Sequence, residues 1–454
     1  MTDSRLERNG SDLASLHDGG EAGGVADENV NHPGRARAFV ASLSGTALEY
    51  YDFAIYSSAA ALIFGQLFFD ASDPMTGTLQ AFGTYAVGYL ARPVGGIFFG
   101  RLGDIVGRKV VLVYTLLLVG ISTFLIGLLP TYAQIGSTAP ALLILLRFAQ
   151  GVGVGGEWGG AVLLSSEFGR ADQRGFWASA AQVGPPLGTL LANGVLAVLT
   201  LTLDDEQFLQ WGWRVAFLMS LLLIGFGLWI RSALEETPVF SSIEARGEQP
   251  KAPISEVFAK QRRPLAAAIL ARLGPDVLYA MFAVFVLTFA TQRLGLTRAQ
   301  TISSVLIGSA MQVPLIPLAG HLSDRFGRRF IYAIGAIGGG LWSLGFFALV
   351  DSQASLICGV IGALIFHALM YGPQAAFIAE QFEPRLRYTG SSLAYTLAGV
   401  LGGAIAPLVF SWILSGGDAD WLIGAYIASA CLLTLLGISM GKGAPSLRGN
   451  SRGG

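Results

Sequence analysis

The sequence is short of charge, of cysteine and of histidine. Only 13% of its 454 residues are Asp, Glu, Lys or Arg, against about 25% in an average soluble domain. Too few charges remain to coat a globule of this size, which excludes most soluble readings. The 29 basic and 30 acidic residues nearly cancel, so the basic excess of a nucleic-acid binder is missing. Two cysteines cannot build a disulfide framework. The four histidines are scattered at His17, His32, His321 and His367. They form no catalytic or metal-binding cluster, which argues against an enzyme, and neither metal nor cofactor is expected. Gly155-Gly156 lies in an apolar run with no Lys-Ser/Thr behind it, so no phosphate loop supports ATP-driven pumping.

What fills the chain instead is apolar surface. Hydrophobic residues make up 53%, and glycine occurs 60 times. A membrane helix needs about 20 mostly apolar residues. Twelve such runs are visible, near 39–64, 78–100, 110–130, 139–163, 175–201, 213–231, 265–291, 299–320, 330–350, 354–379, 388–413 and 421–440. The expectation is an all-α membrane protein of twelve transmembrane helices. Residues 1–38 are polar and lack a signal peptide's apolar core, and read as a disordered cytoplasmic tail. Residues 39–231 and 265–440 are the two helical halves, 232–264 a cytoplasmic linker and 441–454 a second tail.

Basic residues test the count. With twelve spans, 23 of the 29 Lys and Arg fall in the tails and loops of one side, and only Arg293 and Arg298 in those of the other. This bias places both termini in the cytoplasm. A repeat supports the division into halves. Gly100-Arg-Leu-Gly-Asp104-Ile-Val-Gly107-Arg108-Lys109 returns 220 residues later as Gly320-His-Leu-Ser-Asp324-Arg-Phe-Gly327-Arg328-Arg329. Glu167 precedes Arg174 by seven residues, as Glu380 precedes Arg387. Transporters are commonly built from such repeats, with a site between them near the bilayer midplane.

Ionisable residues inside spans are costly and are functional candidates. Glu49 and Asp52 sit three apart on one helix face, where two carboxylates cannot both ionise cheaply. They are proton-coupling candidates together with Glu157 and Asp276. Tyr51 and Tyr56 lie beside the first pair. Arg147 and Gln150 share a face of the fourth span, and the planar fork of arginine suits a carboxylate substrate. An internal pair between Arg147 and an acid is the alternative. Arg272, Asp276 and Tyr279 form a stripe on the seventh span, either lining a cavity or closing on itself as an Arg272–Asp276 pair. Gln182 and Tyr395 complete the binding candidates. His367 reads chiefly as an interhelical hydrogen-bonder. Arg92, beside Pro93, reads chiefly as a residue that fixes its helix against neighbouring helix ends. Glycines four apart, at Gly96/Gly100, Gly151/Gly155, Gly184/Gly188 and Gly399/Gly403, signal close helix packing.

The paired Gly-x-x-x-Asp-x-x-Gly-Arg-Lys/Arg loops resemble the signature loop of the major facilitator superfamily. Leu48-Glu49-Tyr50-Tyr51-Asp52-Phe53, Arg92-Pro93-Val94-Gly95-Gly96, Arg147-Phe-Ala-Gln150-Gly151, Gly155-Gly156-Glu157-Trp158, Trp211-Gly212-Trp213-Arg214 and Glu235-Glu236-Thr237-Pro238 narrow it. In this order they resemble the metabolite:proton symporter family, which holds bacterial shikimate, α-ketoglutarate, citrate and proline/betaine carriers. The resemblance spans about 39–440. It implies the two-half major facilitator fold, a bacterial inner (plasma) membrane and import of a small metabolite with protons. A carboxylate such as shikimate or a dicarboxylate is the first expectation. A zwitterion symporter, or a proton-independent exchanger or uniporter, is the alternative. Some shikimate-type carriers have Asp at the position of Glu49; either acid can hold a proton. The signature loops imply a cytoplasmic gate of Gly100, Asp104, Gly107, Arg108, Lys109, Glu167, Arg174, Asp324, Arg328, Arg329, Glu380 and Arg387. In it, Asp104 and Asp324 accept hydrogen bonds from a helix N-terminus of the other half. The expected partners are substrate, protons and lipid, with no nucleic acid, and the chain is expected to work as a monomer.

Overall fold

The computed structural model describes residues 34–70, 73–106, 108–155, 171–232, 253–383, 386–417 and 419–442. Within these, the side chains are described except at 34–42, 100, 101, 103–106, 108–110, 112, 171, 230–232, 253 and 388. Residues 1–33 of the expected tail, most of the linker and the end of the second tail therefore lie outside the described residues, whereas residues 34–38, read as disordered tail, are helical and begin the first helix.

Among the described residues twelve long helices follow one another. The first half holds α1 (Gly34–Ala59, continued by a π-helical turn at Ala60–Phe64 and by Gly65–Leu67), α2 (Pro74–Val106), α3 (Arg108–Leu128), α4 (Thr138–Gly155), α5 (Arg174–Thr202) and α6. Helix α6 is assembled from Asp205–Gln207, a π turn at Phe208–Gly212, Trp213–Leu218 and Ser220–Ser232. After a linker helix, Pro253–Lys260, come α7 (Arg262–Tyr279, a π turn at Ala280–Phe285, then Val286–Gln292), α8 (Arg298–Phe326), α9 (Arg328–Leu349) and α10 (Gln353–Gln381). The last two are α11 (Arg387–Ala398, a π turn at Gly399–Ala404, then Ile405–Ser415) and α12 (Trp421–Met440). Helices α4 to α12 are each long and apolar enough to cross a membrane, and α3 offers the shorter apolar stretch Val113–Leu128. Phe98, Leu145, Leu201, Leu222, Trp229, Leu341 and Trp412 point outward in the open, as lipid-facing side chains do.

Each expected span has a helix at its place, the fourth being described only as far as Gly155, and several helices outrun their spans. Helix α2 begins four residues before 78 and runs six past 100, and α8 extends six past 320. The polar turns added there are the signature segments, which the apolar pattern does not count. Likewise Arg262 and Arg263, read as linker, form the first turn of α7. Four of the even-numbered helices, α2, α6, α8 and α10, start with side-chain caps. Asp73 accepts from the Thr76 amide (2.8 Å) and hydroxyl (2.9 Å), with Pro74 at the first helical position. These two donors hold the exposed Asp73 carboxyl below its usual range. Capping boxes at Asp204/Gln207, Thr297/Gln300 and Ser352/Ser355 do the same work for α6, α8 and α10.

Packing carries the repeat into three dimensions. In the first half α1 packs on α5, α2 on α4, α3 on α4 and α6; six helices later α7 packs on α11, α8 on α10, α9 on α10 and α12. The seam between halves is symmetric too, with α5 on α8 and α2 on α11. The π turns of α1 and α7 begin at Ala60 and Ala280, the same 220-residue offset as the signature loops.

Glycines set the closest approaches, as the four-residue spacing predicts. A Cβ on Gly151 would sit 2.2 Å from the Gly88 carbonyl oxygen, and one on Gly155 2.0 Å from that of Arg92. Gly184 and Gly188 receive Thr46 and Tyr50 of α1, and Gly399 and Gly403 receive Tyr89 of α2. The Gly96 expectation is displaced by one residue. A Cβ there would have 3.4 Å of room, whereas one on Gly95 would meet the Val152 carbonyl oxygen at 1.9 Å. Gly151→Ala therefore forces backbone apart and should cost about 1–3 kcal/mol, read as a lower melting temperature in detergent; an unchanged melting temperature would refute this packing.

Candidate functional site

The interior polar residues gather where the two halves meet. A small cavity lies there, walled by Tyr50, Phe53, Ala54, Ser57 and Ser58 of α1, Tyr85 of α2, Thr189 of α5, and Tyr279, Ala283 and Val284 of α7. Six of its ten lining residues carry a hydroxyl, and none carries a charge. Across the seam the Tyr50 and Tyr395 hydroxyls hydrogen-bond to each other, Thr189 and Tyr279 do so at 2.7 Å, and Gln182 donates to Gln374 at 3.0 Å. Each bond links an N-half helix to a C-half helix.

Behind the cavity wall, α1, α2 and α4 enclose two guanidiniums. Arg147 is 1% exposed. Its guanidinium lies over Tyr56 (4.1 Å), Phe53 (4.5 Å) and Tyr85 (5.2 Å), close contacts of cation–π type. It donates to Gln150 Oε1 at 3.0 Å, and Gln150 donates to Thr123 at 2.7 Å. Gly88 makes room for it, since a Cβ there would lie 2.5 Å from Arg147 Nε. Arg92, 3% exposed, lies over Tyr89 (4.2 Å) and Phe53 (4.8 Å). Glu49 and Asp52 are buried on α1, with Thr123 and Arg147 among the neighbours of Asp52. Among the described residues no ion pair joins Asp52 to Arg147, and Asp52 Oδ1 has no hydrogen-bond donor.

On α7, Arg272 pairs with Asp276 at 2.8 Å, the self-closing option of the sequence reading. The same guanidinium lies 3.5 Å over the Tyr395 ring, so the pair also packs on α11. His367 Nδ1 meets Gln312 at 2.7 Å, and its ring lies against Tyr279 and Tyr371; it is the interhelical hydrogen-bonder expected.

Two tyrosines exchange places relative to the sequence reading. Tyr51, expected at the site, turns into its own half and donates to the Ala216 carbonyl at 2.7 Å. Tyr50, one step of about 100° earlier on the helix, takes the cavity side. Tyr56 donates to Thr84 at 2.6 Å and serves the Arg147 cage. Phe53, Tyr85, Tyr89 and Thr189 also belong to the site and were not singled out. Their only sequence signal is helical spacing from Glu49, Arg92 and Gln182.

At the end bearing the basic signature segments, α5 meets α8. Asp324 accepts from the backbone amides of Gly175 (2.8 Å) and Phe176 (3.0 Å), in the first turn of α5. Those amides lie in the first turn of a helix, where backbone donors have no intrahelical acceptor. Arg328 binds Asp324 at 2.9 Å and grips both oxygens of Glu380 at 2.8 Å. Gly175 and Gly320 touch, a Cβ on either lying 2.6 Å from the other's carbonyl oxygen. Arg329 instead donates to the Gly441 carbonyl, Arg387 to that of Ala379 at 3.1 Å, and Arg174 is exposed. Gly107, Glu157 and Glu167, and the side chains at Gly100, Asp104, Arg108 and Lys109, lie outside the described residues. At the opposite end the halves are joined by Thr288 to the Ala61 carbonyl (3.1 Å), Gln292 to Thr78 (3.2 Å) and an Arg298–Asp205 ion pair (2.5 Å).

A family model described as Major Facilitator Superfamily matches residues 42–407, and again 277–445. The chain belongs to the Major Facilitator Superfamily. It is 39% identical over 411 residues to the Escherichia coli inner membrane metabolite transport protein YhjE, covering 89% of this chain and 93% of that one. The Escherichia coli shikimate transporter is 36% identical over 417 residues, covering 90% and 95%. A Salmonella typhimurium proline/betaine transporter is 33% identical over 435 residues, covering 92% and 85%. Among solved structures, the Escherichia coli xylose transporter XylE superposes with a TM-score of 0.68 at 16% identity, covering 88% of this chain and 96% of that one. The major facilitator fold of twelve transmembrane helices in two six-helix halves accounts for the packing above, and this superfamily member is a multi-pass membrane transporter.

Proposed function

We propose that this superfamily member is a proton-coupled symporter that imports a small organic carboxylate by alternating access. The observation that carries the reading is the cavity at the seam, closed towards both ends by bonds between the halves and backed by buried acids and arginines. Rocking one half against the other breaks one set of end contacts while the other holds, so the cavity opens to one side at a time. The cavity is formed within one chain, which supports a working monomer. The carboxyls of Glu49 and Asp52 are the proton carriers, and Arg147 with Gln150 positions the charge that answers them. Asp276 is held by Arg272 and serves the C-terminal half. The relatives named for shikimate and for proline/betaine support a metabolite substrate. The bias of basic residues supports cytoplasmic termini, with the Asp324–Arg328–Glu380 cluster as the cytoplasmic gate and a bacterial inner membrane as the location.

The test is uptake of labelled shikimate, 2-oxoglutarate, benzoate and proline into cells making the protein, with and without a protonophore. Saturable uptake of an acid that the protonophore abolishes is the expected result. Saturable uptake that ignores the protonophore would overturn the symport reading.

A further inference from the structure

We propose that Arg92 binds the acidic group of the substrate, and that this substrate is an organic anion, not a zwitterion or a quaternary ammonium compound. The proposal rests on the carrier reading and sharpens it to a residue and a substrate class.

Arg92 is almost wholly buried, yet among the described residues it makes no hydrogen bond and no ion pair. Its Nε has no acceptor. Its contacts are the rings of Phe53 and Tyr89. A cation–π contact contributes about 0.5–2 kcal/mol, whereas a buried charge left without a partner costs several kcal/mol. The acids Glu49 and Asp276 exert a field on it, but among the described residues neither forms an ion pair with it. An anion from outside the chain supplies what the fold omits. The position suits this. Nη1 of Arg92 lies 3.8 Å from where a Cβ on Gly399 would sit, so the guanidinium reaches the seam between α2 and α11. Phe53, which it covers, walls the cavity.

The same rings decide against a cationic ligand. Quaternary ammonium groups are held on open aromatic faces. Here guanidiniums already lie over Phe53, Tyr56, Tyr85 and Tyr89. A second cation beside them meets like charge and occupied rings. The hydroxyl-lined cavity then takes the uncharged body of the ligand, with its acidic group directed at Arg92.

The test is equilibrium binding to the purified full-length protein in nanodiscs, using benzoate, shikimate and 2-oxoglutarate, the amide of each, and glycine betaine. The expected result is that an acid binds and its amide does not, and that Arg92→Gln weakens that acid by about 10- to 100-fold, the worth of a charge-assisted hydrogen bond or two. Arg92→Lys, which keeps the charge and loses the fork, should fall between. Equal binding by wild type and Arg92→Gln, at matched melting temperatures, would overturn the proposal. So would preference for glycine betaine over every acid. Restored binding in a Glu49→Gln/Arg92→Gln double variant would also overturn it, by showing that the arginine serves an internal acid. Acid preference with protonophore-insensitive uptake would sink symport and leave this site standing.

Discussion

Asp52→Asn should abolish accumulation while leaving exchange of labelled for unlabelled substrate across the membrane. Asp52 is buried on α1, has no ion pair to Arg147, and one of its oxygens lacks a donor. A charge held so is expensive inside a bilayer, and a proton removes that expense. Asparagine keeps the shape and cannot release a proton. Substrate therefore still crosses in the loaded carrier, but proton movement no longer pulls it. One pH unit is worth 1.36 kcal/mol per proton, which is about tenfold in accumulation. In proteoliposomes with an imposed gradient of one pH unit, the wild-type ratio should approach about ten for one proton, and the variant ratio should be one. A monocarboxylate anion carried with one proton moves no net charge, so for such a substrate a potential alone should drive neither protein. Glu49→Gln is the comparison. Full accumulation by Asp52→Asn with loss in Glu49→Gln would move the proton to Glu49, and loss of exchange as well as accumulation would show Asp52 to be a binding or structural residue.

Much of this architecture was legible before any coordinates. The twelve runs, the basic bias and the signature repeat anticipate two six-helix halves because bilayer thickness and loop charge act on the chain locally. The Asp324–Arg328–Glu380 cluster was legible in part for the same reason: the acid and the arginine recur at 220 residues, and a glutamate recurs seven residues before an arginine in each half. What escaped is set by contacts between halves. Tyr50 and Tyr395 are 345 residues apart, and no local pattern couples them. Helix α1 is buried on nearly every side over 46–64, so its sequence has no polar stripe to tell Tyr50 from Tyr51. Arg92 was read as a helix anchor because a lone arginine near a proline gives no hint that its guanidinium lies over the rings of Phe53 and Tyr89. Gly95 rather than Gly96 meets Val152 for a similar reason, since two adjacent glycines are indistinguishable until a neighbour's carbonyl selects one.

Asp324→Asn should unlatch the basic end. The carboxylate ties three donors, two amides at the start of α5 and the Arg328 guanidinium, while Arg328 stays fixed on Glu380. Asparagine offers one oxygen and turns an amino group toward a positive helix end and an arginine. Hydrogen bonds to a charged group contribute about 1.5–3 kcal/mol each. A loss of about 3 kcal/mol shifts the balance between closed and open forms by more than about 100-fold. Ser179 lies at this seam, its Cβ 3.1 Å from where a Cβ on Gly320 would be. With Cys358 replaced by serine, a cysteine at 179 should react with a polar maleimide far faster in the Asp324→Asn protein, and uptake should fall about tenfold at normal abundance. Gly320→Ala approaches the same point by a different force. Its methyl presses on the Gly175 carbonyl, so it should raise labelling without touching any charge. If the alanine variant opens the seam and the asparagine variant does not, packing alone holds this end shut and the acid serves only to orient Arg328. If neither does, the α5–α8 contact is not the element that moves.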